Sequence, residues 1–335
     1  MLRELSVASQ SWPLATPFRI SRGVKTVAEV VVVEVHQGCA RGRGEGVPYP
    51  RYGETVDSVL EQVGSVKKAI AEGMTREALQ GALPPGAARN AVDCALWDLS
   101  AGTSGQSVTA QLGAGPLPAL TTALTIGIDT PEAMRSAAER LSAHPLIKVK
   151  VDNSDPEGQL RAVRAGAPGA RLIIDPNESW NLEILEAMQS VLVEIGVELI
   201  EQPLPAREDA VLEGFQPAVA ICADESCHVA ADLPRLVTRY QAINIKLDKT
   251  GGLSGALDLL QKAREAGLKI MCGCMISTSL SIAPAFHIAR HAGFVDLDGP
   301  LWLTQDRPGG VQLEAGRLLA PSAALWGEPP DRAQL

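Results

Sequence analysis

No apolar run in this 335-residue sequence approaches the roughly 20 residues that span a bilayer; the longest are short, as at residues 30–33. The first residues, MLRELSVASQSWPL, hold an early glutamate and no apolar core, so a secretory leader is not expected. Basic runs are also missing. With 30 Lys and Arg against 39 Asp and Glu, the net charge is −9, which argues against nucleic acid and other polyanionic partners. Nor are there Cys/His clusters at zinc spacing. The six cysteines are scattered and read as structural thiols of a reducing cytoplasm. His287 and His291 stand four apart without the glutamate of a zinc-protease motif, so they read as packing. Disorder is excluded for most of the chain, because 46% of residues are hydrophobic and only 21% are charged.

What remains is an α/β pattern in two parts. Residues 30–35 (VVVVEV) read as a strand, and residues 17–25 (PFRISRGVK) as a loop. Residues 54–82 and 87–99 are helical in pattern, separated by Pro84, Pro85 and Gly86. This predicts an α+β unit over 1–115, joined by a returning segment at 309–335. Over 116–308, eight short apolar stretches alternate with amphipathic ones. They start near residues 120, 146, 171, 198, 220, 242, 268 and 294. Repeated strand and helix predict a closed parallel barrel. The length fits one barrel of about 250 residues or fewer plus a smaller domain.

Nearly every one of these strands ends in an ionisable residue. Lys148 and Lys150 are two apart and face one side. From Lys150, the residues Asp175, Glu201, Asp224 and Lys246 follow at steps of 25, 26, 23 and 22. Parallel strands aim such side chains at the C-terminal mouth, where barrel enzymes work. Any one charged strand end reads as the start of a solvated loop; seven in register do not. Clustered carboxylates repel unless a hard cation neutralises them, so Asp175, Glu201 and Asp224 are candidate ligands for Mg²⁺, with Mn²⁺ as the alternative. Lys150 and Lys246 fall on opposite sides of an eight-stranded barrel. A lysine beside a cation can have a depressed pKa and act as a base. Two opposed bases and a metal point to proton abstraction α to a carboxylate, with return from the other face.

KVKVDN, IIDPNESW, IEQPLP, ADES, NIKLDKTGG and VDLDGP, with PYPRYGE and the AARNAVDCALWDL helix, resemble the enolase superfamily, muconate-lactonizing subgroup. The resemblance covers nearly the whole chain. It implies a modified TIM barrel, (β/α)7β, with an α+β capping domain. Lysine bases working with Mg²⁺ are a general property of that superfamily. Within it, Asp296-x-Asp298 resembles the dipeptide epimerases, in which such a pair binds the α-ammonium of the substrate. The resemblance implies Lys148 near the substrate carboxylate, and Asn177, Glu225 and Asp248 as supports. It implies substrate contacts from Arg22 or Lys25, with Arg19 a third candidate, and from the 275–279 segment around Ser277. The expected substrate is a dipeptide of the L-Ala-D/L-Glu type, the setting murein peptide recycling in the cytoplasm. Other L-Ala-L-Xaa dipeptides remain open. A lyase such as o-succinylbenzoate synthase binds no amine and would not need Asp296-x-Asp298. Bases of the mandelate-racemase kind need a histidine near strand seven, and MCGCM at 271–275 offers none. Oligomeric state is left open, a homo-oligomer included.

Overall fold

The computed structural model describes residues 2–20 and 23–329. The chain starts with an antiparallel sheet of β1 (Glu4–Ile20), β2 (Gly23–Gln37) and β3 (Ala40–Gly46). Of the segment expected to be a loop at 17–25, the described residues 17–20 and 23–25 are instead strand, with Phe18 opposite Lys25. Pro17, Gly23 and the cations of this segment suggested a loop, but β1 is an edge strand. Its register shifts between Pro13 and Phe18, where a missing N–H does little harm. Three helices follow: α1 (Val56–Ala71), α2 (Arg76–Ala82) and α3 (Ala87–Ser104). Thr55 caps α1 through a reciprocal bond with Ser58, and Gly73 at φ 99° turns the chain before α2. The short α4 (Val108–Gln111) completes this unit.

Helix α3 lies directly on β3 because that strand alternates glycine. A Cβ on Gly42, Gly44 or Gly46 would stand 2.1–2.2 Å from the carbonyls of Ala95, Ala91 and Ala87. The face is smooth every second residue, as a strand requires.

The second sheet is parallel, in chain order from β4 to β11. Its strands are β4 (Leu124–Ile126), β5 (Leu146–Lys150), β6 (Arg171–Asp175), β7 (Val197–Glu201), β8 (Ile221–Ala223), β9 (Ala242–Ile245), β10 (Lys269–Gly273) and β11 (Phe294–Asp296). A bridge from Thr122 to Val295 joins the first to the last. The fold is the expected one: a modified TIM barrel beside an α+β unit. The helices between strands are α5 (Pro131–Arg140), α6 (Pro156–Gly166), α7 (Leu182–Glu194), α8 (Leu233–Leu236), α9 (Leu247–Thr250), α10 (Leu253–Glu265) and α11 (Ser279–Ala289). Between β7 and β8 there is only a 3₁₀ turn at Asp209–Leu212, and no helix follows β11 before a 3₁₀ turn at Gly299–Trp302. A small hairpin, β12 (Gln312–Glu314) and β13 (Arg317–Leu319), leads the chain back to the first unit. There Trp326 Nε1 donates to Cys94 O at 3.1 Å and the Gly327 N–H to Asp98 at 2.6 Å.

The barrel interior is built in layers. One cluster takes a single residue from each strand or its lead-in: Ala123, Leu146, Ile173, Leu199, Cys222, Ala242, Met271 and Phe294. This apolar floor excludes water from below. Two residues further along each strand, the pleat returns to the same face. That step reaches Thr125, Lys148, Asp175, Glu201, Asp224, Asn244, Gly273 and Asp296. The polar layer is therefore set by strand period and sits on a dry base.

Candidate active site

The polar layer is an alternating network of buried charge. Lys148 Nζ lies 2.6 Å from Glu201, 2.7 Å from Asp296 and 3.1 Å from Asp175. Lys150 Nζ is 2.5 Å from Asp175, and Lys246 Nζ is 2.7 Å from Asp224 and 3.9 Å from Glu201. Burial penalises the charge of Asp175, but Lys150 and Lys148 outweigh it and hold the carboxyl at about 2. Burial likewise opposes ionisation of Asp224, and Lys246 and Lys249 hold it well below the usual range. Glu201 goes the other way. Burial, reinforced by Asp175, pushes it up to about 7. Burial alone would lower the pKa of Lys246, but Asp224 and Glu201 raise it above its ordinary value.

Two residues of this layer were missed in the sequence. Lys249, on α9, donates to Asp224 Oδ1 and O at 2.6 Å each and to Asn244 O at 2.9 Å. Asn244 Nδ2 donates to Glu201 Oε1 at 2.8 Å. Gly273 makes room for it, because a Cβ there would stand 2.7 Å from Asn244 Nδ2. Gln202 was also overlooked. At φ 32°, its side-chain oxygen accepts from the N–H groups of Asp224 and Ser226, fixing the end of β8. The signal was the spacing: Asn244 is two before Lys246 on one strand face, and Lys249 is one helical turn after it.

Above the network is a cavity of about 60 Å³ between the barrel mouth and the first unit. Lys148, Lys150, Asn177, Asp224, Glu225, Lys246, Asp296 and Asp298 line its barrel side. Asp175 and Glu201 lie beneath it, 1% and 0% exposed. Asp298 accepts from the Thr125 N–H at 2.9 Å and from Trp302 Nε1 at 3.2 Å; burial, with Asp296 beside it, raises it to about 6. The opposite wall is Phe18, Ile20, Lys25, Tyr49 and Tyr52. The Lys25 ammonium lies 4.7 Å from the Tyr49 ring centroid.

Ser277, Asp248 and Arg19 fall away from the cavity wall. Arg22 lies outside the described residues. Ser277 is fully buried and is not on the cavity wall, which is made by Cys274, Met275 and Ile276. Asp248 does not reach the carboxylates: it accepts from the Val47 N–H at 2.9 Å and Asn90 Nδ2 at 2.8 Å. Its helix, α9, turns it toward the first unit. Arg19 is exposed and is not among the cavity's lining residues. The Gly251-Gly252 pair clears space for Arg89 and Asp93 of α3. Trp180 is a packing residue whose Nε1 donates to Asp152 O at 2.9 Å.

Among the described residues, no three acidic, histidine or cysteine side chains form a closed metal-binding group. Lysine ammonium groups take the cationic positions between the carboxylates instead. The donor set still fits a hard divalent cation. Asp175, Glu201 and Asp224 end three adjacent strands, and each of Asp175 and Asp224 makes ionisation of Glu201 harder.

The family model for the N-terminal domain of mandelate racemase / muconate lactonizing enzymes matches residues 2–113, and the "enolase C-terminal domain-like" model matches 132–332. The chain belongs to the mandelate racemase / muconate lactonizing enzyme family. It is 46% identical to the L-Ala-D/L-Glu epimerase of Escherichia coli strain K12, over 95% of this chain and 99% of that protein. A solved enolase-family structure from Agrobacterium tumefaciens, described as having homology to dipeptide epimerases, superposes with a TM-score of 0.95 at 46% identity. It covers 97% of this chain and 100% of its own, and holds sodium and L-Ala-L-Glu with an ordered loop. A dipeptide epimerase from Enterococcus faecalis V583, complexed with Mg and L-Leu-L-Tyr, superposes at 0.87 with 30% identity, over 96% and 98% of the two chains. The Escherichia coli and Enterococcus faecalis proteins are named epimerases, which are isomerases, the enzyme class expected from the sequence.

Proposed function

We propose that this protein is a Mg²⁺-dependent epimerase of dipeptides of the L-Ala-D/L-Glu type, inverting the α-carbon of the C-terminal residue. One observation supports it most: Lys150 and Lys246 stand on β5 and just past β9, four strands apart in a ring of eight, on one cavity with Asp296 and Asp298. One lysine removes the α-proton from one face, and the other delivers a proton to the opposite face. Asp296 and Asp298 receive the substrate ammonium, a role that neutral N-acyl substrates and cycloisomerase substrates would leave idle. Lys148, between Asp296 and the acidic triad, holds the substrate carboxylate. Asp175, Glu201 and Asp224 would hold Mg²⁺ or Mn²⁺. When bound, that ion supplies positive charge against the charge that develops on the substrate carboxylate. Lys25 is the cation of the cavity's upper wall among the described residues, and pairs with an acidic C-terminal side chain.

In this reading residues 1–115 and 309–335 form the cap and 116–308 the catalytic barrel. The closed floor and the aromatic wall keep bulk water from the carbanion-like centre. Dipeptides containing D-Glu arise from murein, so the reaction belongs to peptide recycling in the cytoplasm.

The test is proton NMR of L-Ala-L-Glu with protein and Mg²⁺ in D₂O. The glutamate α-proton signal should vanish as L-Ala-D-Glu appears. No exchange and no second diastereomer across a panel of L-Ala-L-Xaa dipeptides would overturn the assignment. Lys150→Ala and Lys246→Ala should each abolish epimerisation; full activity in either removes the two-base mechanism.

A further inference from the structure

The loops that follow β6 and β7 hold three non-glycine residues in left-handed backbone: Asn177 (φ 48°), Glu178 (φ 67°) and Gln202 (φ 32°). Such conformations are strained and persist where the surroundings fix them. Here the surroundings are identifiable. The Asn177 N–H donates to Asp175 Oδ1 at 2.9 Å, and the Glu178 N–H to Gln202 O at 2.9 Å. Gln202 in turn accepts from the Asp224 N–H at 2.9 Å. The backbone of Glu178 is thus joined to the ends of all three strands that carry the acidic triad.

The side chain of Glu178 points the other way. Its Oε1 accepts from Arg51 Nη2 at 2.7 Å and its Oε2 from Arg51 Nε at 2.8 Å, while Oε1 also accepts the Ala206 N–H at 2.9 Å. The Glu178 side chain is 8% exposed, so this is a partly desolvated bidentate pair and not a loose surface contact. Arg51 belongs to the 3₁₀ turn Pro50–Tyr52 of the first unit, between the cavity-wall residues Tyr49 and Tyr52. The Tyr52 ring meets His228 edge-on at 4.5 Å, beyond β8.

We propose that Arg51 and Glu178 are a positioning pair that registers the tyrosine wall over the acidic triad, and that substrate affinity depends on it. Breaking the pair frees the 49–52 turn while leaving the lysines and carboxylates in place. The wall then no longer holds the substrate against the barrel mouth, so binding weakens more than chemistry. The kinetic part of this inference rests on the dipeptide reading; the structural part does not.

Three variants test it: Arg51→Ala, Arg51→Lys and Glu178→Gln, the last keeping an oxygen for the Ala206 N–H. Amide hydrogen exchange needs no substrate. In Arg51→Ala, residues 49–53 and 177–180 should both exchange about tenfold faster, with α3 unchanged. With L-Ala-L-Glu, KM should rise about tenfold while kcat stays within about threefold. Arg51→Lys should fall between wild type and Arg51→Ala, and a fourth variant combining Arg51→Ala with Glu178→Gln should be no worse than the poorer of those two alone. Faster exchange in one segment only, or a fall in kcat at constant KM, would overturn the proposal. If wild-type protein epimerises no dipeptide, the functional reading fails, and the exchange measurement still decides the pair.

Discussion

Asp248 offers a sharp test of the electrostatics beneath the first unit. It is completely enclosed, and burial raises its carboxyl to about 7 despite the bonds from the Val47 N–H and Asn90. Both bonds end on Oδ1, so Asp248→Asn keeps an acceptor in place and discards the charge. The direction of the pH effect follows from the raised value. Below about pH 4 the group is protonated in both folded and unfolded chains, and ionisation costs nothing. Between about 4 and 7 the unfolded chain ionises while the folded one resists. Wild-type stability should therefore fall as pH rises through that window, and the penalty is complete above about 7. Roughly three pH decades at 1.36 kcal/mol each set an upper figure of about 4 kcal/mol. A chain of this size loses about 0.7 kcal/mol of stability per degree near its midpoint. Asp248→Asn should then melt up to about 6 °C higher at pH 8 and coincide with wild type at pH 4. Thermal scans across pH 4–8 make the comparison. Parallel curves, or a variant weaker at every pH, would refute the reasoning.

Two further substitutions probe packing and the charge layer. Gly44→Ala puts a methyl 2.1 Å from Ala91 O, backbone against backbone; it should cost about 3 kcal/mol or more, and a midpoint within about 1 °C of wild type would contradict the close approach. Lys249→Met removes all three donors to the Asp224–Asn244 corner and should cost roughly 3–5 kcal/mol in chelator-treated protein, read by denaturant unfolding. Unchanged stability would mean that Lys246 alone satisfies Asp224.

The barrel was legible because its signal is periodic. Strand-end charges recurred about every 25 residues; Asp175, Glu201 and Asp224 landed in the layer above the apolar floor, and Lys150 and Lys246 two residues beyond it along the chain. The misreadings have a different origin. Lys249 and Asp248 are neighbours in one helix, yet one faces the carboxylates and the other faces α3; only the angle of α9 on the barrel separates them. Ser277 and Met275 differ in the same way, the first turned into the core and the second onto the cavity wall. The 17–25 hairpin carried Pro and Gly signals that suit a loop, and only its pairing with β2 made it a strand. The Arg51–Glu178 pair spans 127 residues of sequence, so no local pattern announces it.

The returning segment has a consequence for how this chain comes into being. Trp326 and Gly327 are bonded to α3, and Arg43 of β3 donates to the carbonyls of Ala324 and Leu325. Residues 94 and 98 of α3 are thus completed by partners more than 200 positions later. During synthesis the emerging α3 must wait, with its Cys94 carbonyl and Asp98 carboxylate uncovered, for more than 200 further residues. The N-terminal unit cut at residue 113 would lack these partners, so it should be less stable alone than in the whole chain. Docking residues 324–327 on β3 and α3 is a contact of high sequence separation, and the interval before it forms is when nascent protein is exposed to aggregation.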